Sequence, residues 1–429
     1  MTTVILITIV TLGLMLIGVP IAFAITAGAL AAVVALGDIS LMAVPQQLFA
    51  GLDSFALLAI PFFVLAGSLM TSGGLTERLL DFANALLGRF RGGLAMSGVL
   101  ASGMFAGISG SAVADTSALG RIMIPAMIRS GYPPGFAGGV IAAANVVAPI
   151  IPPSIPFIVV AVLTGQSVTT LFLAGVVPGL IYILSMLFVS WWISKKNNFP
   201  IHGRANAKEI WMTFRKASFA LFLPVFVLGG IRSGIFNITE CAVVAVIYAL
   251  LVGTLVYKQI TFRIFYESLV AAARTTAVIM IIVAAARVFS WLLAYVSIPE
   301  AIAEFVLANI SSPMLFLIFV NILLLIVGMF LETNAALVML IPVLYPIANE
   351  LGIDPTHFTV VAVVNLCIGL ITPPAGLCLN ISSLMARISL EKGVIGIAPF
   401  LGAALAVLGM LTFFPQISLW LPTLMTATP

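Results

Sequence analysis

The sequence contains very little charge. Of its 429 residues, only 18 are Lys or Arg and 14 are Asp or Glu, so 7% of the chain is charged, against about 25% in a typical soluble domain. This scarcity excludes a water-soluble enzyme. Hydrophobic residues make up 62% of the chain instead, enough for on the order of 12 spanning helices of about 20 residues each. The composition therefore predicts an all-α polytopic membrane protein.

Cysteine and histidine are nearly absent. The chain has three cysteines, Cys241, Cys367 and Cys378. Their odd number and the lack of CxxC spacing indicate neither a disulfide framework nor a metal site. Residues 107–110 (GISG) match a signature of intramembrane serine proteases, but such chemistry needs a membrane-embedded histidine base. The two histidines, His202 and His357, lie in a basic loop and at a segment edge, so a protease is excluded.

Basic residues are missing from both ends of the chain. No Lys or Arg precedes Arg78 and none follows Lys392. A cleaved signal peptide is therefore not expected, and residues 3–20 are predicted to form the first membrane segment. The densest basic stretch lies at 195–217, which predicts a cytoplasmic loop with a short interfacial helix. Because the net charge of +4 is confined to a few loops, nucleic-acid binding is not indicated.

Four pairs of Gly-rich, Pro-rich and polar motifs recur on either side of the basic loop. The pairs are 107–111 with 328–333, 124–125 with 341–342, 131–134 with 352–355, and 145–153 with 365–374. They keep the same order, and the members of each pair are separated by 217 to 221 residues. We infer two repeats, which are inverted if each contains an odd number of spans. The predicted boundaries are 1–194 for the first repeat, 195–217 for the loop and 218–429 for the second repeat.

Each predicted repeat contains a helical segment that is too short to cross a membrane. Residues 93–107 would form about 21 Å of helix at 1.5 Å per residue, whereas the hydrocarbon core is about 30 Å thick. Small polar residues follow this segment, and the second half of the chain repeats the pattern. We predict two re-entrant helical hairpins, at about 93–130 and 314–349.

Two further apolar segments, at about 137–164 and 358–386, are interrupted by prolines near their middle. Proline removes a backbone donor and clashes with the preceding turn, so each helix should be unwound there. Irregular backbone at membrane depth persists only where it is buried in protein or lines a watery cavity. Proline-broken helices at matching positions of two repeats indicate a transport site near the membrane midplane.

Several polar residues stand inside apolar runs. Asp115 is an intramembrane acid, which favours a functional role, although its neighbours could form a flexible turn. Asn145 and Asn365 each precede a proline by eight residues and could act at the breaks or in helix packing. Glu332 could hydrogen-bond a hydroxylated substrate, respond to a cation or pair with a distant arginine. Arg287 could neutralise a carboxylate or snorkel from a scaffold helix.

The motifs together resemble the large membrane subunit of tripartite ATP-independent periplasmic (TRAP) transporters. The resemblance is carried mainly by residues 107–116 (GISGSAVADT) and by 365–376 (NxxxGxxTPPxG), and it covers essentially the whole chain. It implies an elevator-type secondary transporter rather than an enzyme, with hairpins and broken helices forming a transport domain that moves against a scaffold. It also implies that the protein lies in the bacterial inner membrane, with both termini on the periplasmic side.

The resemblance further implies partners and coupling ions. A small four-helix membrane subunit (Q type) would hold the scaffold, and a soluble periplasmic binding protein (P type) would deliver an organic anion. Two or more sodium ions would drive uptake without ATP, and the chain has no GxxxxGK[ST] phosphate loop. Carried over residue by residue, the first sodium site comprises Gly107, Ser109, Ser111, Asp115, Asn145 and Pro149. The second comprises Gly328, Thr333, Asn334, Asn365, Gly369 and Thr372.

The expected substrate contacts lie between these sites, at Ser109, Ser154 and Glu332. Serines can donate to a carboxylate, and helix N-termini add positive potential. Likeness to the sialic-acid members makes sialic acid the expected substrate. The alternative is an autonomous sodium-coupled dicarboxylate carrier that works without a binding protein. The Ser-Asn-Thr hairpin tips of such carriers have only a faint counterpart here, Thr333 followed by Asn334.

Overall fold

The computed structural model describes residues 9–11, 13–15, 17–201, 203, 205–309 and 312–426. Within these residues every regular element is helical, which confirms the predicted fold class. Seven of the described helices are long and apolar enough to cross a membrane. The predicted first segment at 3–20 lies partly outside the described residues, and His202 lies wholly outside them.

The helices are numbered in chain order. Those of the first half are α1 (Ile21–Leu36), α2 (Ala43–Leu52), α3 (Ala59–Ser72, entered through a 3-10 turn at Phe55–Leu58), α4 (Leu75–Leu87), α5 (Gly93–Ser109), α6 (Ala112–Arg129), α7 (Pro134–Asn145), α8 (Ile155–Thr164) and α9 (Val168–Lys196). Those of the second half are α10 (Ala207–Arg232), α11 (Ile238–Leu251, continued by a π-helical turn at Val252–Val256), α12 (Phe262–Tyr295), α13 (Ile298–Asn309), α14 (Pro313–Phe330), α15 (Thr333–Glu350), α16 (Pro355–Gly369), α17 (Leu377–Met385), α18 (Leu390–Phe413) and α19 (Gln416–Thr426).

Two tertiary contacts mark the two ends of the helix bundle. At one end, called the basic end because it lies beside the basic residues of 195–217, the Tyr257 hydroxyl donates to the Lys216 carbonyl over 2.6 Å. At the opposite end, the Tyr295 hydroxyl donates to the Asp38 carboxylate over 3.0 Å. Helix α12 begins shortly after the first contact and ends at the second, so it runs the full depth of the bundle.

Helices α5 and α6 form one hairpin, and α14 and α15 form another. The first hairpin opens at the basic end, where the Gly92 N–H donates to the Pro200 carbonyl over 3.3 Å. The second opens at the opposite end, because Tyr345 near the end of α15 lines a cavity together with Ala294 near the end of α12. The hairpins therefore enter the bundle from opposite ends, as an inverted pair requires; the repeat relationship itself stays a prediction.

Two helices are broken in the middle of the bundle. Residues 146–154 separate α7 from α8, and residues 370–376 separate α16 from α17. Each break contains a Pro-Pro pair with a cis peptide bond, at 152–153 and at 373–374. Since proline cannot donate a backbone hydrogen bond, the chain leaves the helical path at these points and resumes it a few residues later.

The central basic loop differs from its prediction. The sequence predicts a short interfacial helix there, but α10 begins at Ala207 and runs without a break to Arg232. Asn206 starts it through a capping box, accepting from the Glu209 N–H at 2.9 Å while the Glu209 carboxylate accepts from the Asn206 N–H at 3.0 Å. No Gly or Pro occurs between Ala207 and Pro224, so a helix nucleated at the cap propagates into the membrane segment.

Candidate functional site: the hairpin tips and the helix breaks

The two hairpin tips border a central cavity of about 660 Å³. Polar and backbone groups of both tips and both breaks line it, and α1 and α12 supply an apolar wall. The tip and break residues are Gly110, Ser111, Pro149, Ile155, Glu332, Thr333, Asn334, Ala335, Leu370 and Leu377. Among the described lining residues, Glu332 alone carries an ionisable side chain. The cavity can therefore hold a small organic molecule in mostly apolar surroundings.

The first tip lies directly on the first break. Gly110 has the left-handed φ of 65° that glycine tolerates best. A Cβ at Gly110 would stand 3.1 Å from the Pro153 carbonyl oxygen, and one at Gly107 would stand 3.1 Å from the Pro152 carbonyl oxygen. The absence of side chains at these two positions thus allows hairpin and break to meet backbone to backbone.

The second tip meets the second break in the same way. A Cβ at Gly328 would stand 3.2 Å from both the Cα of Gly369 and the Leu366 carbonyl oxygen. Thr372, in the break itself, donates its hydroxyl to the Ile368 carbonyl over 2.9 Å and keeps its oxygen lone pairs available. Each hairpin and its break therefore form one contiguous structural unit.

Asp115 is buried beside the first tip. Its side chain is 1% exposed, and neither carboxylate oxygen has a hydrogen bond of ordinary geometry to the described residues, although the Ser109 hydroxyl faces it. Ser109 itself accepts from the Ser111 N–H at 3.2 Å, and Ser111 caps α6 by accepting from the Ala114 N–H at 3.3 Å. A buried carboxylate with so few partners is costly, and its oxygens can accept further contacts.

Asn145 and Asn365 occupy corresponding places, each at or near the end of the helix that precedes a break. Asn145 donates through Nδ2 to the Ile141 carbonyl over 2.9 Å. Asn365 donates through Nδ2 to Oδ1 of Asn321 over 2.7 Å. Both residues are fully buried, and in both the Oδ1 atom has no hydrogen-bond partner in the described part of the chain. The amide nitrogen is held in place and the acceptor oxygen is left free, as a cation ligand requires.

Glu332 caps the return helix of the second hairpin. Its Oε2 accepts from the N–H groups of Asn334 at 2.9 Å and Ala335 at 3.4 Å, while its Oε1 accepts from Nδ2 of Asn334 at 3.0 Å. The Oδ1 of Asn334 is buried without a partner among the described residues. The Thr333 hydroxyl lies 4.0 Å from the Cys367 thiol. Glu332 therefore has a structural role in addition to its position on the cavity wall.

Ser154 is placed differently from the expected substrate contact. It is fully buried and is absent from the described lining of the central cavity. Its hydroxyl donates to the Pro149 carbonyl over 2.5 Å and accepts from the Phe157 N–H at 3.3 Å. Because both bonds lie within the break and the first turn of α8, this geometry favours a role in shaping the break instead of contacting substrate.

Some of the other predicted residues line one of two cavities, whereas Gly107, Asn145, Gly328, Asn365, Gly369 and Thr372 are absent from the described lining of both. Ser109, Ser111 and Asp115 line a second cavity of about 460 Å³ between the first hairpin, α3 and α12. Ser111, Thr333, Asn334 and Glu332 line the central cavity. Arg287 lines neither of these. It faces a third cavity of about 590 Å³, nearer the opposite end of the bundle.

Asn321 is a residue of the site that the sequence analysis missed. It accepts from Asn365, and its own Nδ2 donates to the Thr412 hydroxyl over 2.9 Å. A single Asn within the otherwise apolar helix Pro313–Phe330 is a recognisable signal, because polar residues inside membranes are costly and usually functional. The network ties α14 and α16 to α18.

Comparison with known proteins identifies the family. Residues 8–417 match the family described as "Tripartite ATP-independent periplasmic transporter, DctM component". The 2,3-diketo-L-gulonate TRAP transporter large permease protein YiaN of Escherichia coli is 42% identical over 408 residues, 95% of this chain and 96% of that protein. The sialic acid TRAP transporter large permease protein SiaM of Vibrio cholerae is 39% identical over 413 residues, 96% of this chain and 97% of that protein. The C4-dicarboxylate TRAP transporter large permease protein DctM of Rhodobacter capsulatus is 37% identical over 428 residues, with coverage of 96% and 97%.

A solved structure shares the fold. The YdaH transporter of Alcanivorax borkumensis superposes with a TM-score of 0.60 over 89% of this chain and 88% of that chain, at 13% sequence identity. The family match over residues 8–417 and the relatives at 37% to 42% identity point to the same family as the motifs at the two tips and breaks. The chain therefore belongs to the DctM family, the large permease subunits of TRAP transporters.

Proposed function

We propose that this chain is the membrane carrier subunit of a sodium-coupled, binding-protein-dependent importer of an organic carboxylate. One observation carries the proposal: buried oxygens of Asp115, Asn145, Asn334 and Asn365 have no hydrogen-bond partner among the described residues, and all belong to the tips and to the helices leading into the breaks. Buried polar atoms in proteins are normally paired. Acceptor oxygens that lack donors, in each of the two tip-and-break units, are what sites for hard cations provide.

The residues present fit sodium at two places. In the first unit, Ser109 and Asp115 at the tip and Asn145 at the end of α7 offer hydroxyl, carboxylate and amide oxygens. Near the second tip, Asn334, Asn365 and Thr372 offer amide and hydroxyl oxygens. Hard cations prefer such oxygen ligands. A bound sodium ion would supply the positive charge that the Asp115 carboxylate lacks, so occupancy of the first site would strengthen the packing of tip against break.

The proposed movement of the transport domain is supported by the packing of tip against break. Each tip touches its break through backbone atoms, at Gly107 and Gly110 in one unit and at Gly328 and Gly369 in the other. We expect each hairpin and broken helix to move as one body, while α3 and α12 stay with the scaffold. Such an elevator motion would carry the central cavity from one membrane face to the other.

The substrate class is proposed from the relatives. Those described above are named for 2,3-diketo-L-gulonate, sialic acid and C4-dicarboxylates, all of which are carboxylates. Sialic acid is the first substrate to test, because Glu332 on the cavity wall can accept hydrogen bonds from sugar hydroxyls. The partners proposed are a small Q-type membrane subunit and a soluble P-type binding protein. The membrane is the bacterial inner membrane, with the basic end cytoplasmic and both termini periplasmic.

The test is uptake into liposomes that contain this chain and its small subunit. Radiolabelled sialic acid uptake is measured with an inward sodium gradient or with potassium replacing sodium, and with or without the soluble binding protein. The expected result is uptake that requires both sodium and the binding protein. Uptake that needs sodium but no binding protein would instead identify an autonomous carrier. Uptake that is unaffected by replacing sodium would contradict the assignment of sodium as the coupling ion.

A further inference from the structure

Three cavities border α12 at successive levels. Ala271 and Thr275 line the cavity of about 460 Å³ nearest the basic end. Thr275 and Ile279 line the central cavity, and Val283 and Arg287 line the cavity of about 590 Å³ nearest the opposite end. Each of these residues is four positions from the next, so they follow one ridge that winds slowly around the helix axis. The cavities therefore contact successive turns of the same helix.

The part of α12 that borders these cavities is long enough to cross the membrane. The third cavity is also lined by Ser290 and Ala294. The stretch from Ala271 to Ala294 extends about 34 Å at 1.5 Å per residue, and a hydrocarbon core is about 30 Å thick. Arg287 is the single charged residue among the α12 residues that line the three cavities. An arginine on an otherwise neutral helix surface is a natural contact for an anion.

The Arg287 guanidinium is available for a ligand. The only ion pair among the described residues joins Arg263 to Glu267 at 2.8 Å. Asp53 and Glu300 line the same cavity as Arg287 but form no ion pair with it. Arginine presents donors in a planar fork that matches a carboxylate with two hydrogen bonds. The third cavity therefore combines one available cation with two acids at some distance from it.

Gly51 fixes the base of this arginine. A Cβ at Gly51 would stand 2.6 Å from the Cβ of Arg287 and 3.4 Å from the Cα of Ala284. Helix α2 therefore packs closely on α12 at this point, and the stem of Arg287 has no room on that side. The arginine is held at the cavity between α2, α12 and α15.

We propose that the Arg287 cavity is a binding site for the transported anion, adjacent to the central cavity, and that it selects a monocarboxylate whose body carries hydroxyl or amino groups. The proposal rests on the proposed transport function. Arg287 would pair with the carboxylate, and Asp53 and Glu300 would accept hydrogen bonds from the donors. A second carboxylate on the ligand would meet these two acids here and Glu332 in the central cavity, so dicarboxylates are disfavoured.

The experiment measures protection of a cysteine in this cavity. Ala294→Cys, at an exposed position that lines the same cavity, is introduced into the chain, which is reconstituted with its small subunit and without binding protein, so that selection by the binding protein plays no part. The rate of modification by a membrane-impermeant maleimide is measured with and without sialic acid or succinate. The three native cysteines are buried, which keeps the background low. Arg287→Gln and Arg287→Lys are each added to Ala294→Cys, and Arg274→Gln, an exposed arginine of the same helix, is the matched control.

Sialic acid is expected to slow the modification in the parent and in the Arg274→Gln protein. Succinate should require a concentration at least about tenfold higher for the same protection, which corresponds to the loss of one good polar contact. Arg287→Gln should abolish the protection, and Arg287→Lys should keep part of it because the charge remains. Equal protection by succinate, protection that survives Arg287→Gln, or a complete lack of modification in the Ala294→Cys parent would each overturn the proposal. The labelling needs no gradient, so a failure of sodium-driven uptake is recognised separately.

Discussion

Gly369 lies against Gly328 with no side chain between them: a Cβ on Gly369 would stand 2.6 Å from the Cα of Gly328 and 2.8 Å from its carbonyl oxygen. Real Cβ atoms do not approach backbone so closely. The end of α16 and the end of α14 therefore share a contact that only glycine permits, and the second tip is seated on the second break through it.

Gly369→Ala is expected to abolish transport while leaving the protein in the membrane. The added methyl group must push the tip away from the break, at a cost of about 1 to 3 kcal/mol for overpacking. The matched control is Gly402→Ala on α18, where a Cβ meets nothing within 4 Å. Sodium-driven uptake in liposomes and thermal stability in detergent are measured for both. Normal uptake by the Gly369→Ala protein would contradict the role given to this contact.

Asp115→Asn is expected to stabilise the protein, or leave its stability unchanged, and to reduce uptake at least about tenfold. The substitution keeps the volume but removes a buried charge that the Ser109 hydroxyl faces and that has no ion-pair partner among the described residues, and burial of such a charge is unfavourable. Loss of function together with retained stability would identify a residue kept for its charge. Asp81→Asn on the exposed face of α4 serves as the control. A lower melting temperature for Asp115→Asn would mean that the carboxylate has a structural partner.

Asn365→Leu is expected to raise the sodium concentration that gives half-maximal uptake by about tenfold, the effect of losing one good polar contact. Leucine has a similar size but cannot offer the free Oδ1 atom. Asn321→Leu should produce a smaller shift in the same direction, because Asn321 only holds the Asn365 amide in place. Asn349→Leu, at an exposed position near the end of α15, should not change the sodium dependence. An unchanged sodium dependence for Asn365→Leu would remove this residue from the proposed site.

Glu332→Gln is expected to impair uptake more than it impairs docking of the binding protein. Glutamine can still accept from the Asn334 N–H, so the loss of capping should stay within about 1 kcal/mol. What disappears is the charge on the wall of the central cavity. Uptake and binding-protein affinity are measured side by side, with Glu350→Gln at the exposed end of the same helix as the control. Unchanged uptake would show that Glu332 serves only as a helix cap.

The hairpins and breaks were predictable because their signals are local. Gly110 and the paired prolines at 152–153 and 373–374 are strong local helix breakers, whereas a single proline such as Pro178 remains inside a helix. A run of apolar residues too short to span is equally visible without knowledge of the partners it packs against. The family itself followed from the same short motifs, and the comparisons confirmed it.

Side-chain roles were harder to foresee because they depend on tertiary contacts. Ser154 looked free to meet a substrate, but its hydroxyl is used by the Pro149 carbonyl. Asn321 was overlooked because its partners Asn365 and Thr412 are distant in sequence. The start of α10 was predicted as a separate helix because charge pattern alone does not reveal that Asn206 nucleates a continuous one.

The direct backbone contact between Gly328 and Gly369 also bears on which ion sizes the proposed second sodium site would accept. In a site formed by flexible side chains, the diameter can change with the rotamers. In this proposed site, the tip and the break are in van der Waals contact through their backbones, so widening the site means moving two helices apart. Such a site would discriminate between alkali cations by radius. Lithium could enter without strain, whereas potassium would have to separate the second hairpin from the second break.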